Sequence, residues 1–256
     1  MLETMSRKMH AKSAALLVSI ESSLDRIMQL WLLLAGLAAA VRIALSPIPS
    51  GLEPGTIAPY LLLIFAPFAS MVLALRWFAD GDRQPQPGLR LSRIGAWRSI
   101  GRSKAMRQPL YGAGGIMVSL LVGMLLNVPV RAAEYLAAMP ALSGPVPAWL
   151  STLHLMMTLD VVLLSSLYSI AFVAALRRVP SFPRLLVAIW VLDLGMQFFT
   201  AQMVAGMPGL PGDVAGALQT LLEGNVMKVL ISIALWLPYL LLSKRVNLTY
   251  RHRVPA

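Results

Sequence analysis

The chain has 256 residues, 57% of them apolar and 13% charged, with 22 Lys and Arg against 11 Asp and Glu and no cysteine. An ordinary soluble domain carries about 25% charged residues, so this composition excludes a protein that covers its own surface in water, and the missing thiols exclude disulfides, thiolate metal sites and cysteine nucleophiles. The apolar residues come in blocks of 18 or more, the length of a spanning helix, and the predicted class is an all-α polytopic membrane bundle.

Residues 1–27 are basic at Arg7, Lys8, Lys12 and Arg26. The apolar run at 14–20 is too short to cross at about 1.5 Å per residue. Leu16, Leu17, Ile20, Leu24 and Ile27 recur at helical spacing, which predicts a helix lying on the cytoplasmic interface. The long apolar stretch that starts near Ile27 lies too far in, and runs too long, for a signal peptide. Residues 28–78 form a two-helix unit with spans at 28–45 and 60–78, joined by a linker with four prolines and no basic residue. Gly36, Ala40 and Ala44 stand four apart on the first span, a spacing that allows close helix contact, and Pro67 predicts a kink in the second.

Residues 79–109 form a basic loop, with seven Lys and Arg in the 25 positions of 83–107. Such a segment stays cytoplasmic and orients its neighbours. Leu91, Ile94, Trp97 and Ile100 suggest the apolar edge of an Arg-rich helix, weakened by Gly95 and Gly101. Arg90, Arg93, Trp97, Arg98, Arg102 and Lys104 are the expected contacts to anionic lipid headgroups, each basic residue being worth about 1 kcal/mol at such a surface.

Residues 110–245 form a four-helix unit. Its first span, 110–130, sets Gly115, Ser119, Gly123 and Asn127 at intervals of four on one face, suited to close packing on a neighbour. A linker at 131–149 with one basic residue, Arg131, leads to the span 150–176, and a short turn leads on to the span 184–205, so these two are antiparallel neighbours. A linker at 206–225, in which 213–222 can form a short outer helix, precedes the last span, 226–243, and residues 246–256 are a cytoplasmic tail. Six spans with both termini cytoplasmic put 19 basic residues inside and one in the outer linkers, the asymmetry expected of an inner-membrane protein. This placement also accounts for the net charge of +11 without a nucleic-acid partner.

Three motifs carry a family likeness. Gly112, Gly114 and Gly115 open the unit, Phe182, Pro183, Arg184 and Leu185 form a turn, and Trp236, Leu237, Pro238 and Tyr239 with Ser243, Lys244, Arg245, Val246 and Thr249 close it. Over residues 110–251 the chain resembles the bacterial four-span family called domain of unknown function 2569. The resemblance implies the helix count and no activity, and Ile116 stands where that family commonly has Trp.

No phosphate loop, zinc-binding His-Glu motif, nucleophile elbow or dinucleotide fingerprint is present. His10, His154 and His252 are far apart in sequence, and 15 scattered methionines without cysteine fit adaptable packing better than a copper route. Neither a metal nor a cofactor is expected. The candidate site consists of polar groups inside apolar spans, which are functional candidates by default: Asp160, Asp193, Gln197, Thr200, Lys228 and Asn127. Asp193, Gln197 and Thr200 share one helical face. Counted from the inner ends at about 1.5 Å per residue, Asp193 lies at about 14 Å and Asp160 at about 25 Å, so the two carboxyls are not expected to pair. The same count predicts an Asp160–Lys228 contact, with Asp193 protonated or hydrogen-bonded within the bundle, Asn127 being one available partner. His154, Thr158 and Ser165 also share a face, as a polar helix contact.

These features predict a membrane protein without enzymatic activity, an accessory or scaffolding subunit that associates with another membrane protein or with itself. The alternative is a small secondary transporter or membrane ligand-binding protein using the intramembrane carboxylates. An enzyme acting on lipid comes third, for want of a visible nucleophile or metal site.

Overall fold

The computed structural model describes residues 2–47, 53–88, 91 and 95–256. Nine helices are described: α1 (Leu2–Ser22), α2 (Leu24–Leu45), α3 (Pro54–Trp77), α4 (Arg102–Met106), α5 (Met117–Ala138), α6 (Ala148–Leu176), α7 (Phe182–Ala205), α8 (Gly212–Leu242) and α9 (Lys244–Arg251). Six of them, α2, α3 and α5 to α8, are long and apolar enough to cross a membrane, and the molecule is an all-α, multi-pass bundle.

The centre of the bundle is α6, which packs against α3, α5 and α7, while α2 lies on α3 and α5, and α8 lies on α7. The most apolar stretch of α6 is 67% buried in the protein, against 11% for those of α2 and α8. The two least covered helices present Leu33, Leu37, Ile231 and Leu235 outward, as a bilayer allows because its lipid tails are as apolar as leucine.

Two helices run past their predicted limits. Residues 213–222 do not form a separate outer helix but are the first turns of α8, which at 31 residues is about 46 Å long, well beyond a hydrocarbon core of about 30 Å. Likewise α5 passes through Pro129 and ends only at Ala138, so Arg131 belongs to a helix and not to a linker. A proline costs the helix one hydrogen bond, which neighbouring groups inside a bundle can replace.

At the end of the bundle where the basic residues gather, the described part of the segment expected to be an Arg-rich helix holds a strand, β1 (Trp97–Ser99), paired antiparallel with β2 (Arg253–Pro255), while Ile94 of the expected apolar edge lies outside the described residues. Half-buried Trp97 lies in that strand, and Arg102 begins α4 and pairs with Asp82 at 3.0 Å. Arg98 and Lys104 are exposed, while Arg90 and Arg93 lie outside the described residues. The residues after Ser243 fold back beneath the bundle. Ser243 caps α9 by accepting from the Val246 N–H, and Asn247 Nδ2 donates to the carbonyls of Leu241 and Ser243 at 3.0 and 3.1 Å. This burial is possible because the polar groups of the turn are satisfied within it.

The small-residue stripes face the other way from the one expected. Ser119 and Gly123 are exposed, as are Ala40 and Ala44, whereas Ala35 and Ala39 make the close contacts of α2. The reason is positional: α5 turns its large residues Leu120, Leu121 and Met124 toward α6, leaving its small ones outside.

Candidate functional site

Midway through the bundle, four helices bring polar side chains to one place. The α5 face carrying Asn127 also carries Arg131 one turn on and Glu134 three residues later; α6 contributes Asp160 and Tyr168, α7 contributes Asp193 and Gln197, and α8 contributes Asn225 and Lys228.

Arg131 is the hub. Its Nε donates to Asn127 Oδ1 at 3.0 Å, its Nη1 to Asp160 Oδ2 at 3.0 Å and its Nη2 to Asp193 Oδ2. Its guanidinium carbon also lies 5.8 Å from the centre of the Tyr168 ring, within reach of a cation–π contact. The planar fork of five N–H donors thus addresses its own helix and two others. The side chains of Arg131 and Asp160 are 12% and 11% exposed and that of Asp193 is fully covered, so an unmatched charge here would be costly.

The carboxylates are also held from the far side. Gln197 Nε2 donates to Asp160 Oδ1 at 3.1 Å and to Asp193 Oδ1 at 3.4 Å, and the Tyr168 hydroxyl donates to Asp193 Oδ2 at 3.3 Å. All four carboxylate oxygens therefore accept a hydrogen bond from the bundle. The chain of contacts continues outward: Asn225 Nδ2 donates to Gln197 Oε1, and Lys228 Nζ donates to Asn225 Oδ1, both at 3.3 Å. Lys228 ends the chain in an ion pair with Glu134, at side-chain exposures of 60% and 42%.

Of the six candidates, Asp160, Asp193, Gln197, Asn127 and Lys228 join this network. Thr200 is buried on the same face of α7, beyond the hydrogen-bonded chain. Three expectations are corrected. Lys228 meets Glu134 and not Asp160, Asn127 accepts from Arg131 and not from Asp193, and the two aspartates share both Arg131 and Gln197. The depth count failed because it started from the inner ends, where α6 extends further than α7. Counted from the opposite ends, Ala148 of α6 and Ala205 of α7, each aspartate is 12 residues in, or about 18 Å.

Arg131, Glu134 and Asn225 escaped the sequence reading. For Arg131 and Glu134 the signal was a helical one: they follow Asn127 at plus four and plus seven, the spacing of one helix face. A second contact forms beside the network, where the Tyr135 hydroxyl lies 2.8 Å from Thr158 Oγ1 and 3.3 Å from His154 Nε2. Ser165, expected on that face, is buried elsewhere with no partner for its hydroxyl among the described residues.

Between α5 and α8 a cleft of about 60 Å³ runs from the Lys228–Glu134 pair toward Asp193. That is room for a few water molecules and for no organic substrate.

At the basic end, the motifs that carry the family likeness meet in space. The Gly112 N–H donates to Thr249 Oγ1 at 3.0 Å, and Arg245 Nη1 donates to the Gly112 carbonyl at 3.4 Å. Gly115 lies against the Arg245 guanidinium and has φ +67, a conformation that favours glycine. Phe182 packs on Tyr250 with ring centres 5.1 Å apart. Residues 110–251, more than half of the chain, match the model of a family described as protein of unknown function (DUF2569). The chain belongs to this family. No curated protein and no solved structure matches it. The DUF2569 unit holds every member of the ionic network, whereas α1 to α3 lie outside it. Those added helices pack on the unit mainly through α3 against α6, and Gly81, just past α3, comes so close that a Cβ there would be within 2.8 Å of the Arg177 carbonyl.

Proposed function

We propose that this protein is a non-enzymatic membrane scaffold, an accessory subunit whose DUF2569 unit is locked into one shape and whose outer faces take up another membrane protein or a second copy. One observation carries this reading: every carboxylate oxygen of Asp160 and Asp193 is engaged within the bundle, and the cleft beside them has no space for an organic substrate. A network satisfied in this way rigidifies and specifies an arrangement of helices. The exposed small residues of α2 and α5 support the same reading, because such faces allow close helix approach in a membrane. The reading places the protein in the inner membrane with both termini cytoplasmic, and with Arg98, Arg102 and Lys104 near anionic headgroups. The three connections at the end opposite the basic residues contain no Lys or Arg, in keeping with that orientation.

The test is affinity capture from native membranes in mild detergent. A partner or a stable homo-oligomer is the expected result. Recovery of the isolated chain alone, under several growth conditions, would remove the reading.

A second reading, a small secondary transporter, is favoured by one specific feature. With both carboxylates ionised, the single guanidinium of Arg131 leaves the inner group one negative charge in excess. Proteoliposomes with the wild-type chain or Asp193→Asn separate the two readings. Ion- or substrate-dependent uptake in the wild type that the variant lacks would put transport ahead of scaffolding.

A further inference from the structure

On the face opposite the ionic network, α2, α3 and α5 enclose a groove of about 410 Å³. Two prolines shape it. Pro67 of α3 and Pro129 of α5 both line the groove and both stand inside helices, where a proline ring removes a backbone bond and bends the axis. Trp31 closes the inner wall, its indole N–H donating to the Ile64 carbonyl at 2.8 Å, beside the Pro67 bend. Among the described residues, no charged one lines the groove. Its one hydroxyl, Ser169, is already used within α6, donating to the Ser165 carbonyl at 2.8 Å.

The dimensions select the occupant. Along α2 the lining runs from Ile27 to Ala38, eleven residues or about 16 Å, which is close to one leaflet of a hydrocarbon core about 30 Å thick. Spread over that length, the volume gives a cross-section of about 26 Å², the girth of one extended hydrocarbon chain with its carbon contacts. A helix with its side chains is about 10–12 Å across, several times too thick. The end of the groove also has a sign. Arg26 directly precedes Ile27, and Arg76 follows Met71 by five residues; both arginines are exposed at the basic end of the bundle.

We infer that this groove is a lipid site, holding one acyl chain of an anionic phospholipid from the leaflet at the basic end, with Arg26 and Arg76 beside its phosphate. The site is independent of the ionic network and of the scaffold reading. It lies between the added helices and the DUF2569 unit, so the bound chain is part of the joint between them.

The test uses the full-length protein in mild detergent, followed by native mass spectrometry and thermal melting. One phospholipid adduct per chain is expected to survive detergent exchange. Added dioleoylphosphatidylglycerol should raise the melting temperature by several degrees, more than dioleoylphosphatidylcholine or oleate does. Ala38→Trp and Ala133→Trp fill the groove from opposite walls at exposed lining positions. Either one, if folded, should lose both the adduct and the lipid-dependent shift, and Arg26→Gln should reduce the preference for the anionic lipid. An adduct retained in a folded, filled variant overturns the site. So does a wild-type chain with neither adduct nor shift, or an efficient cross-link between two copies through Leu34→Cys, which would put a protein helix in the groove.

Discussion

A guanidinium set between two carboxylates in a low-dielectric interior is stabilised only while its partners remain, and removing one member of such a group exposes the others to an uncompensated charge. Arg131 holds Asp160 and Asp193 from one side while Gln197 holds them from the other. Arg131→Met should therefore destabilise the bundle by about 3–5 kcal/mol, read as a lower melting temperature in detergent. Adding Asp160→Asn and Asp193→Asn to that variant should restore most of the loss, because the neutral amides can bond to each other and to Gln197. If the triple variant melts as low as the single one, charge is not what the site stabilises. The aspartates, Gln197 and Asn127 were legible in the sequence because a polar residue inside an apolar block stands out. Arg131 was not, since it follows Pro129 at the end of such a block, where a loop and a helix that continues through the proline read alike.

The C-terminal helix α9 shows the same difficulty at the scale of an element. Its apolar Val246, Leu248 and Tyr250 alternate with polar residues, yet Asn247, Thr249 and Arg251 are buried as well, and no pattern marks the burial of the polar members, because it depends on bonds to backbone elsewhere in the chain. Tyr250 donates to the Ala175 carbonyl at 2.9 Å, and Arg251 Nη1 donates to the Leu240 carbonyl at 2.9 Å. The β1–β2 pairing is equally hidden, as it joins three-residue strands from the basic loop and the chain end. The continuity of α8 through Gly216 and Gly224 was missed for a different reason: a helical glycine costs only about 1 kcal/mol, and the Gln219–Glu223 hydrogen bond at 2.8 Å spans part of the weak region. Burial, the first cause, pushes the Tyr250 hydroxyl well above its ordinary value of 10.0. The sign follows: the folded chain keeps that proton while the unfolded chain gives it up, so the contribution is complete below about pH 10 and is lost as pH rises beyond it. Tyr250→Phe should cost about 0.5–1.5 kcal/mol at neutral pH through the lost hydrogen bond. It should also flatten the fall in melting temperature between pH 9 and 11, about the ordinary tyrosine range. An equal fall in both proteins would mean that Tyr250 is accessible to solvent.

For the whole molecule, the number of spanning helices was legible because six apolar blocks exceed the length needed to cross. Their packing was not. Lipid tails are as apolar as leucine, so hydrophobic pattern does not distinguish the side of a spanning helix that faces protein, and nothing in the composition of α6 marked it as central. The position of the charges is a stronger guide. With Arg131 inside α5, the basic residues outside the basic end are, among the described residues, Arg42, Arg131 and Lys228, and each is tied down: Arg42 donates to the Met139 carbonyl at 2.9 Å, Arg131 to the two aspartates, and Lys228 pairs with Glu134. The connections at that end thus carry no cation to hold them back during insertion, while those at the other end are rich in them, and the basic end should be the one retained in the cytoplasm. The chain has no cysteine of its own, so single cysteines report this directly. Asp213→Cys and Lys104→Cys lie at exposed positions at opposite ends of the bundle. In intact cells a membrane-impermeant maleimide should label Asp213→Cys at once and Lys104→Cys only after permeabilisation. Labelling in the reverse order would invert the protein in its membrane, and labelling of both in intact cells would mean that the basic end is not held on one side.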